Sequence, residues 1–217
     1  MLEPGEHGTS ADLDGVLAFD GRMPRFDGAL TLASGNPGKA DATSGTPWRI
    51  SAKLKADAAR ARLEQVETSY GSDDAALKFT GSADMRFGAS PLLQASLAAR
   101  QLDADKLLAK QATAAEPMRW LPGLRTLIAE VPHAPLPMQV DVAAEQVMLG
   151  GRPIQDFDTK LRIDSKSWTV ERMAFRAPGS TRVSLRGAVA SSDPSAGFRG
   201  ALDVDSSDPN MSYPCCR

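Results

Sequence analysis

The sequence predicts a mainly β fold built from repeated antiparallel hairpins, and three observations support this fold class. Apolar and polar residues alternate with a period of two along many short segments, which is the spacing of side chains on a strand with one apolar face. The 217 residues include 18 glycines and 15 prolines, which separate these segments at hairpin spacing. A phrase near the N-terminus also recurs near the C-terminus. We expect the hairpins to form a curved sheet, a groove or a sandwich.

The alternation is clearest in WRISAKLKA, where Trp48, Ile50 and Leu54 fall on one side and the charged residues on the other. Strands with one apolar and one polar face are typical of antiparallel sheets. Turn-rich segments such as GASP and GGRP are short enough for a meander. Later strands continue the predicted apolar face with Leu77, Phe79, Leu93, Leu97, Val140, Val142, Phe157, Leu161, Ile163, Val183 and Leu185.

The recurring phrase indicates an internal repeat. PRFDGALTLASGNP (24–37) and AGFRGALDVDSSDP (196–209) lie 172 residues apart and agree at six of fourteen positions, where average residue usage gives about one. The shorter pattern apolar-x-apolar-x-Gly occurs in LAFDG (17–21), LKFTG (77–81) and VSLRG (183–187), each followed by another alternating segment. We therefore predict a hairpin module used about three times, whose apolar sides combine into one surface.

One segment departs from the period of two. From Leu102, LDADKLLAKQ offers Asp103 as a helix N-cap, and EPMRWLPGLRTLIAEV spaces its leucines by threes and fours. This pattern predicts a small helical insertion over about 102–130. The predicted organisation is a disordered start (1–12), a β region (13–101), the insertion, a β region of the same domain (137–208) and an irregular tail (209–217).

The sequence contains no recognisable catalytic or metal-binding pattern. His7 and His133 are the only histidines, Cys215 and Cys216 are adjacent at the end of the chain, and no G-x-S-x-G occurs. We therefore predict no catalytic residue, no metal and no cofactor, so the protein is expected not to be an enzyme. The net charge of −2, with both signs interspersed, argues against nucleic-acid binding.

Several segments resemble the AsmA family of Gram-negative bacterial envelope proteins. The resemblance extends from about Gly15 to Asp208 and depends chiefly on LDADKLL (102–108) and on APGSTRVSLRG (177–187) with the GFRGALDV that follows it. It implies a periplasmic protein tethered to the inner membrane by an N-terminal helix that this sequence lacks. It also implies an apolar β groove and a role in outer-membrane biogenesis or phospholipid transport, with phospholipid as ligand and envelope proteins as partners.

Two interpretations of the apolar residues follow. In the first, the predicted apolar face opens into a groove for acyl chains, which need no directed polar contact to be bound. In the second, the strands form a closed sandwich that serves as a scaffold, adhesion or carbohydrate-binding module, and the same residues pack internally. Aromatic residues are 6% of the chain, which is low for a carbohydrate-binding surface. Trp48, Trp120 and Trp168 fit either a packed core or a ligand trough.

Overall fold

A computed structural model of the chain describes residues 9–19, 23–34, 47–71, 76–105, 136–164, 167–190 and 199–206. These residues form eleven strands whose order in the sheet is their order in the chain. Neighbouring strands pair antiparallel from β1 to β5 and from β7 to β11, which confirms the predicted fold class. The strands are β1 (Thr9–Phe19), β2 (Pro24–Ser34), β3 (Trp48–Ala56), β4 (Arg60–Tyr70), β5 (Leu77–Arg86), β6 (Leu92–Asp103), β7 (Met138–Leu149), β8 (Arg152–Ile163), β9 (Ser167–Ala177), β10 (Thr181–Ala190) and β11 (Arg199–Asp205).

The chain divides into two compact units, Met1–Leu97 and Ala98–Arg217. The N-terminal unit contains β1 to β5 and the beginning of β6, and the C-terminal unit contains the end of β6 and β7 to β11. Among the described residues, extensive contacts join strands that follow one another in the chain. Each unit therefore presents a single sheet, and a second sheet is not seen over it within those residues.

Strand β4 keeps its alternation by means of a bulge. Its register shifts by one residue between Glu64 and Glu67 against β3 and between Leu63 and Val66 against β5, and Gln65 takes a φ of 53° there. A bulge places two residues of one strand opposite one of its partner. Because of this extra residue, Val66 stays on the same face of the sheet as Leu63, although three positions separate them.

Strands β8 and β9 carry similar irregularities. In β9 the register shifts near Glu171 against both neighbours. In β8 the shift lies near Asp156, whose φ is 52°. Buried positions in β7 correspondingly step by three residues, from Ala144 to Val147, which are 3% and 7% exposed. Each bulge shifts the phase of the alternation without interrupting the sheet.

The hairpins at the two ends of the strand order have the same register. Gly15 faces Gly28 and Leu13 faces Leu30 between β1 and β2. Adding 172 to each number gives two pairs that are found between β10 and β11, namely Gly187 with Gly200 and Leu185 with Leu202. The repeat seen in the sequence is therefore a repeat of a paired structure.

The alignment of the shorter repeat needs correction. The sequence pattern aligned VSLRG (183–187) with LAFDG (17–21). The hairpin register instead aligns it with ADLDG (11–15), so the counterpart of Gly187 is Gly15. Gly21, which the pattern had selected, lies outside the described residues. The pattern failed because Leu17 and Phe19 continue the same alternation beyond Gly15.

The segment predicted as a helical insertion begins differently from the expectation. Leu102 and Asp103 belong to strand β6, and helical residues 104–105 follow directly, so the non-helical backbone of Asp103 lies at the N-cap position while the insertion begins two residues later than expected. Residues 106–130 of the predicted insertion and the predicted tail over 209–217 lie outside the described residues. At the other end, residues 9–12 of the predicted disordered start belong to β1, whereas 1–8 lie outside the described residues.

The carboxylate of Asp105 fixes the turn between β7 and β8. Gly150 and Gly151 have φ values of 63° and 72°, as a two-residue hairpin turn with positive φ at both positions requires. Their backbone N–H groups donate to the two carboxylate oxygens of Asp105 over 2.6 and 2.7 Å. The side chain of Asp105 therefore has a structural role here.

Candidate functional site: two apolar sheet faces

Strand register collects the apolar side chains of the N-terminal unit on one face, because directly opposed residues of an antiparallel pair lie on the same side. One row across four strands is Leu32, Ile50, Thr68 and Phe79. We call the whole set the N-terminal apolar face. Its members are Ala11, Leu13, Leu17, Phe19, Phe26, Leu30, Leu32, Trp48, Ile50, Ala52, Leu54, Leu63, Val66, Tyr70, Leu77, Phe79 and Met85.

Most of this face is only partly covered. Ala52 and Val66, near its centre, are 8% and 5% exposed. Trp48, Ile50 and Phe79 are half-buried. Since the unit is a single sheet within its described residues, these side chains are shielded mainly by their neighbours on the same sheet. The face therefore offers apolar area to a ligand.

The opposite face of the N-terminal unit carries the charges. Lys55 Nζ lies 2.9 Å from Glu64 Oε2, and Arg62 Nε lies 3.3 Å from Asp84 Oδ2. The hydrogen bond from Lys55 lowers the pKa of the Glu64 carboxyl, and the same contact raises the pKa of Lys55. These pairs are exposed and contribute little to stability. They keep the charged side chains on the face turned away from the apolar residues.

The C-terminal unit is arranged in the same way. Val142, Thr159, Met173 and Leu185 form one row across β7 to β10. We call the corresponding set the C-terminal apolar face. Its members are Met138, Val140, Val142, Ala144, Phe157, Leu161, Ile163, Trp168, Val170, Met173, Phe175, Val183, Leu185, Leu202 and Val204.

The C-terminal apolar face is covered at its centre and open at the outer strand. Ile163 is 6% exposed, and Thr159 is 4% exposed with its hydroxyl donating to the Arg172 carbonyl over 3.2 Å. On β11, by contrast, Leu202 and Val204 are 62% and 60% exposed. The polar Thr159 is thus satisfied by the backbone, and it leaves the face without an open hydrogen-bonding group at that point.

Charged pairs again occupy the opposite face. Glu171 contacts Arg162 at 3.5 Å and Lys160 at 4.0 Å. Arg176 Nη2 lies 3.0 Å from Asp156 Oδ2, beside the bulge of β8. A polar depression adjoins this point and is lined by Arg100, Gln101, Glu145, Gln146, Gln155 and Asp156. Its lining residues all carry charged or amide groups, so it does not extend the C-terminal apolar face.

The sequence-predicted groove residues fall into three groups. Trp48, Ile50, Leu54, Leu77 and Phe79 share the N-terminal apolar face. Leu93 and Leu97 lie on β6, where they are half-buried and alternate with exposed Gln94 and Ser96. The remaining candidates share the C-terminal apolar face, and they are Val140, Val142, Phe157, Leu161, Ile163, Val183 and Leu185.

Sequence reasoning missed the apolar residues of the outer hairpin strands and of the bulged strands. Leu13, Leu30 and Leu202 could have been found by extending the 172-residue repeat to both strands of each hairpin. Val66 and Met173 could not, because each lies beyond a bulge that puts it out of phase with the preceding alternation. A strict period of two assigns such residues to the wrong face.

Two facing glycines, Gly15 and Gly28, leave one point of the N-terminal apolar face without side chains of its own. A Cβ on either Gly15 or Gly28 would lie 2.7 Å from the tip of the Phe26 ring, so this ring covers both glycines. A Cβ on Gly28 would also collide with the Asp14 carbonyl oxygen. Only glycine permits this approach of the two strands under the aromatic ring.

Two further findings concern metal binding and membrane-spanning helices. Within the described ranges, no group of three or more His, Cys, Asp or Glu side chains could hold a metal ion. The helices searched in those ranges include none with the length and apolarity needed to cross a membrane.

Comparison of the chain with protein-family models, with curated proteins and with solved structures gave no match.

Proposed function

We propose that the two apolar faces bind the acyl chains of phospholipid, and that the protein is a non-enzymatic AsmA-like component of the Gram-negative envelope. In this proposal it acts in the periplasm, tethered to the inner membrane in its full-length form. It contributes there to phospholipid transport or outer-membrane biogenesis. The location and the biological process depend on the sequence resemblance, whereas the ligand class is argued from the faces themselves.

One observation carries the ligand class: strand register separates apolar from charged side chains across whole sheets, and the apolar side is partly open. In the N-terminal unit, successive rows from Phe26 to Leu32 on β2 are separated by six residue steps, or about 20 Å along the strands. A surface of that length without charged groups suits an acyl chain. Each buried methylene contributes about 0.8 kcal/mol and needs no directed polar contact.

A displacement experiment tests the proposal. An apolar fluorophore that brightens in apolar surroundings is bound to the folded protein at neutral pH, and lysophospholipid is then added below its micellar concentration. We expect the dye to bind and the lysophospholipid to displace it. Failure of both steps would favour the alternative of a scaffold module without lipid cargo.

A matched pair of variants identifies the face that is used. Phe79 lies on the N-terminal apolar face, and the adjacent Thr80 is exposed on the opposite face. Phe79→Glu should weaken dye and lipid binding about tenfold, since a charge now interrupts the apolar row. Thr80→Glu should leave binding unchanged. Equal loss in both variants, with circular dichroism intact, would count against acyl binding at this face.

A further inference from the structure

Among the strands that the structure describes, β1 stands at one edge of the sheet order. Within the described residues, β1 pairs with β2 alone, and all eleven of its residues are exposed. Leu13, Leu17 and Phe19 are 54%, 53% and 76% exposed although they belong to the N-terminal apolar face. An edge strand of this kind leaves backbone N–H and C=O groups available to another strand.

Strand β1 lacks most of the features that protect natural edges. Its sequence, TSADLDGVLAF, has no proline and no lysine, and its register with β2 is unbroken over all eleven residues. Proteins usually blunt an exposed edge with lysine, proline, a bulge or a very short strand. The charges that β1 does carry, Asp12 and Asp14, lie on the face opposite to Leu13.

The 172-residue repeat indicates what kind of strand would pair with the outer edge of β1. Strand β10 corresponds to β1 by the shift of 172 residues, and β10 has a second neighbour, β9, on the side where β1 has none described. Strand β9 pairs Met173 and Phe175 with apolar-face residues of β10, and it carries Arg172 and Arg176 at alternate positions. A neighbour of β1 is therefore expected to alternate apolar with other residues in the same way.

The aspartates of β1 favour some partner strands over others. Where β1 has Asp12 and Asp14, β10 has Ser184 and Arg186, so the edge of β1 is more acidic than that of its counterpart. Antiparallel pairing of β1 with β1 of a second copy would bring these aspartates together, and like charges on facing strands are destabilising. A strand with arginine or lysine at the alternate positions would form cross-strand pairs instead.

We propose that the outer edge of β1 binds an extended protein strand, antiparallel, that alternates apolar with basic residues. The apolar residues of that strand extend the N-terminal apolar face beyond Leu13 and Leu17, and its basic residues lie opposite Asp12 and Asp14. Backbone hydrogen bonds provide the affinity and the alternation provides the specificity. This inference concerns the edge of the sheet and does not depend on lipid binding to its face.

The test uses labelled eleven-residue peptides and the whole chain, with fluorescence anisotropy as the readout. The first peptide has the β9 sequence SWTVERMAFRA with its glutamate replaced by lysine. The second replaces its lysine and both arginines by glutamate. The third keeps the first sequence but carries N-methyl groups on alternate backbone nitrogens, which block strand pairing and leave the side chains unchanged.

The basic peptide should bind at least tenfold more tightly than the acidic and the N-methylated peptides. The double variant Asp12→Lys with Asp14→Lys should reverse the preference between the basic and acidic peptides. The matched variant Asp203→Lys with Asp205→Lys on β11 should keep the original preference. The β1 double variant also reveals exchange of the peptide with β9, since binding by exchange would be insensitive to the charges of β1.

Three results would overturn the inference. The N-methylated peptide could bind as well as the unmodified one, which would show contact through side chains alone. The preference could survive charge reversal on β1. Sedimentation could also reveal a dimer of the chain that excludes the peptide, and then a second copy and not a basic strand would occupy the edge.

Discussion

The two terminal hairpins have the same pairing and very different burial. Leu30 of β2 is half-buried, whereas its counterpart on β11, Leu202, is 62% exposed. On the first strands the order is reversed, since Thr181 of β10 is 5% exposed and Thr9 of β1 is exposed. In each case the better covered strand has a second neighbour. Burial in a single sheet is therefore determined by adjacent strands more than by the sequence of the hairpin.

The largest effect is expected from filling the glycine pair of the first hairpin. Gly28→Val would place a Cβ against the Asp14 carbonyl oxygen and 2.6 Å from the Cα of Gly15. We expect β1 to separate from β2, at a cost of about 3 kcal/mol or more. Loss of amide hydrogen-exchange protection in β2 measures it. Ala29→Val, next in the strand but exposed on the other face, is the control and should keep protection.

The same substitution in the second hairpin sharpens the comparison. Gly200 faces Gly187 with the register of the first pair. Gly200→Val should release β11 from β10 while β1 and β2 remain protected. If β11 kept its protection, the two hairpins would share a register without sharing the steric requirement for glycine.

The second effect isolates the contribution of a neighbouring strand. Leu30→Ala removes a half-buried side chain that lies between β1 and β3, and we expect a loss of about 1–2 kcal/mol, below the range for fully buried leucines. Leu202→Ala should cost less than about 0.5 kcal/mol because the side chain is already exposed. Urea unfolding monitored by fluorescence compares the two. Equal losses would contradict the role assigned to the neighbouring strand.

A smaller effect concerns the hydroxyl pair at the end of the second hairpin. Thr181 Oγ1 lies 2.9 Å from Ser206 Oγ, and the corresponding positions in the first hairpin are Thr9 and Ser34. Thr181→Val should cost about 1 kcal/mol, as expected for one net hydrogen bond. Thr9→Val should be near neutral. Thermal unfolding midpoints of the two variants, measured side by side, decide whether they differ.

The smallest predicted effect is a difference in acid sensitivity between a turn of the N-terminal unit and a turn of the C-terminal unit. Two backbone N–H groups, of Ala59 and Arg60, donate to the Asp57 carboxylate over 2.7 and 2.9 Å and lower its pKa below the ordinary 3.8. The resulting stabilisation is present above about pH 4 and is lost as the pH falls through the pKa of the folded protein. Acid should therefore loosen the β3–β4 turn slightly more in the native chain than in Asp57→Asn. Hydrogen exchange at the β9–β10 turn around Gly179 provides the internal reference, since residues 177–181 include no carboxylate.

The strands and their faces were predictable because alternation is a local property. Trp48, Ile50 and Leu54 follow it without interruption, and strand register places them together. Bulges were not predictable, since nothing in the composition around Gln65 marks a positive φ. The end of β6 was predicted two residues too early, at 101, because the helical pattern was read from Leu102, whereas the strand continues to Asp103 and helical residues 104–105 follow it.

The bulge in β4 also shows where a strand of this sheet can gain or lose one residue. The extra residue at Gln65 is accommodated inside a strand, and the residues on either side keep their faces. Deleting Gln65 would restore simple alternation from Ala61 to Tyr70, whereas deleting Ser51 from the regular strand β3 would turn half of that strand over. A single-residue insertion or deletion can thus be absorbed at a bulge while the two faces of the sheet are kept.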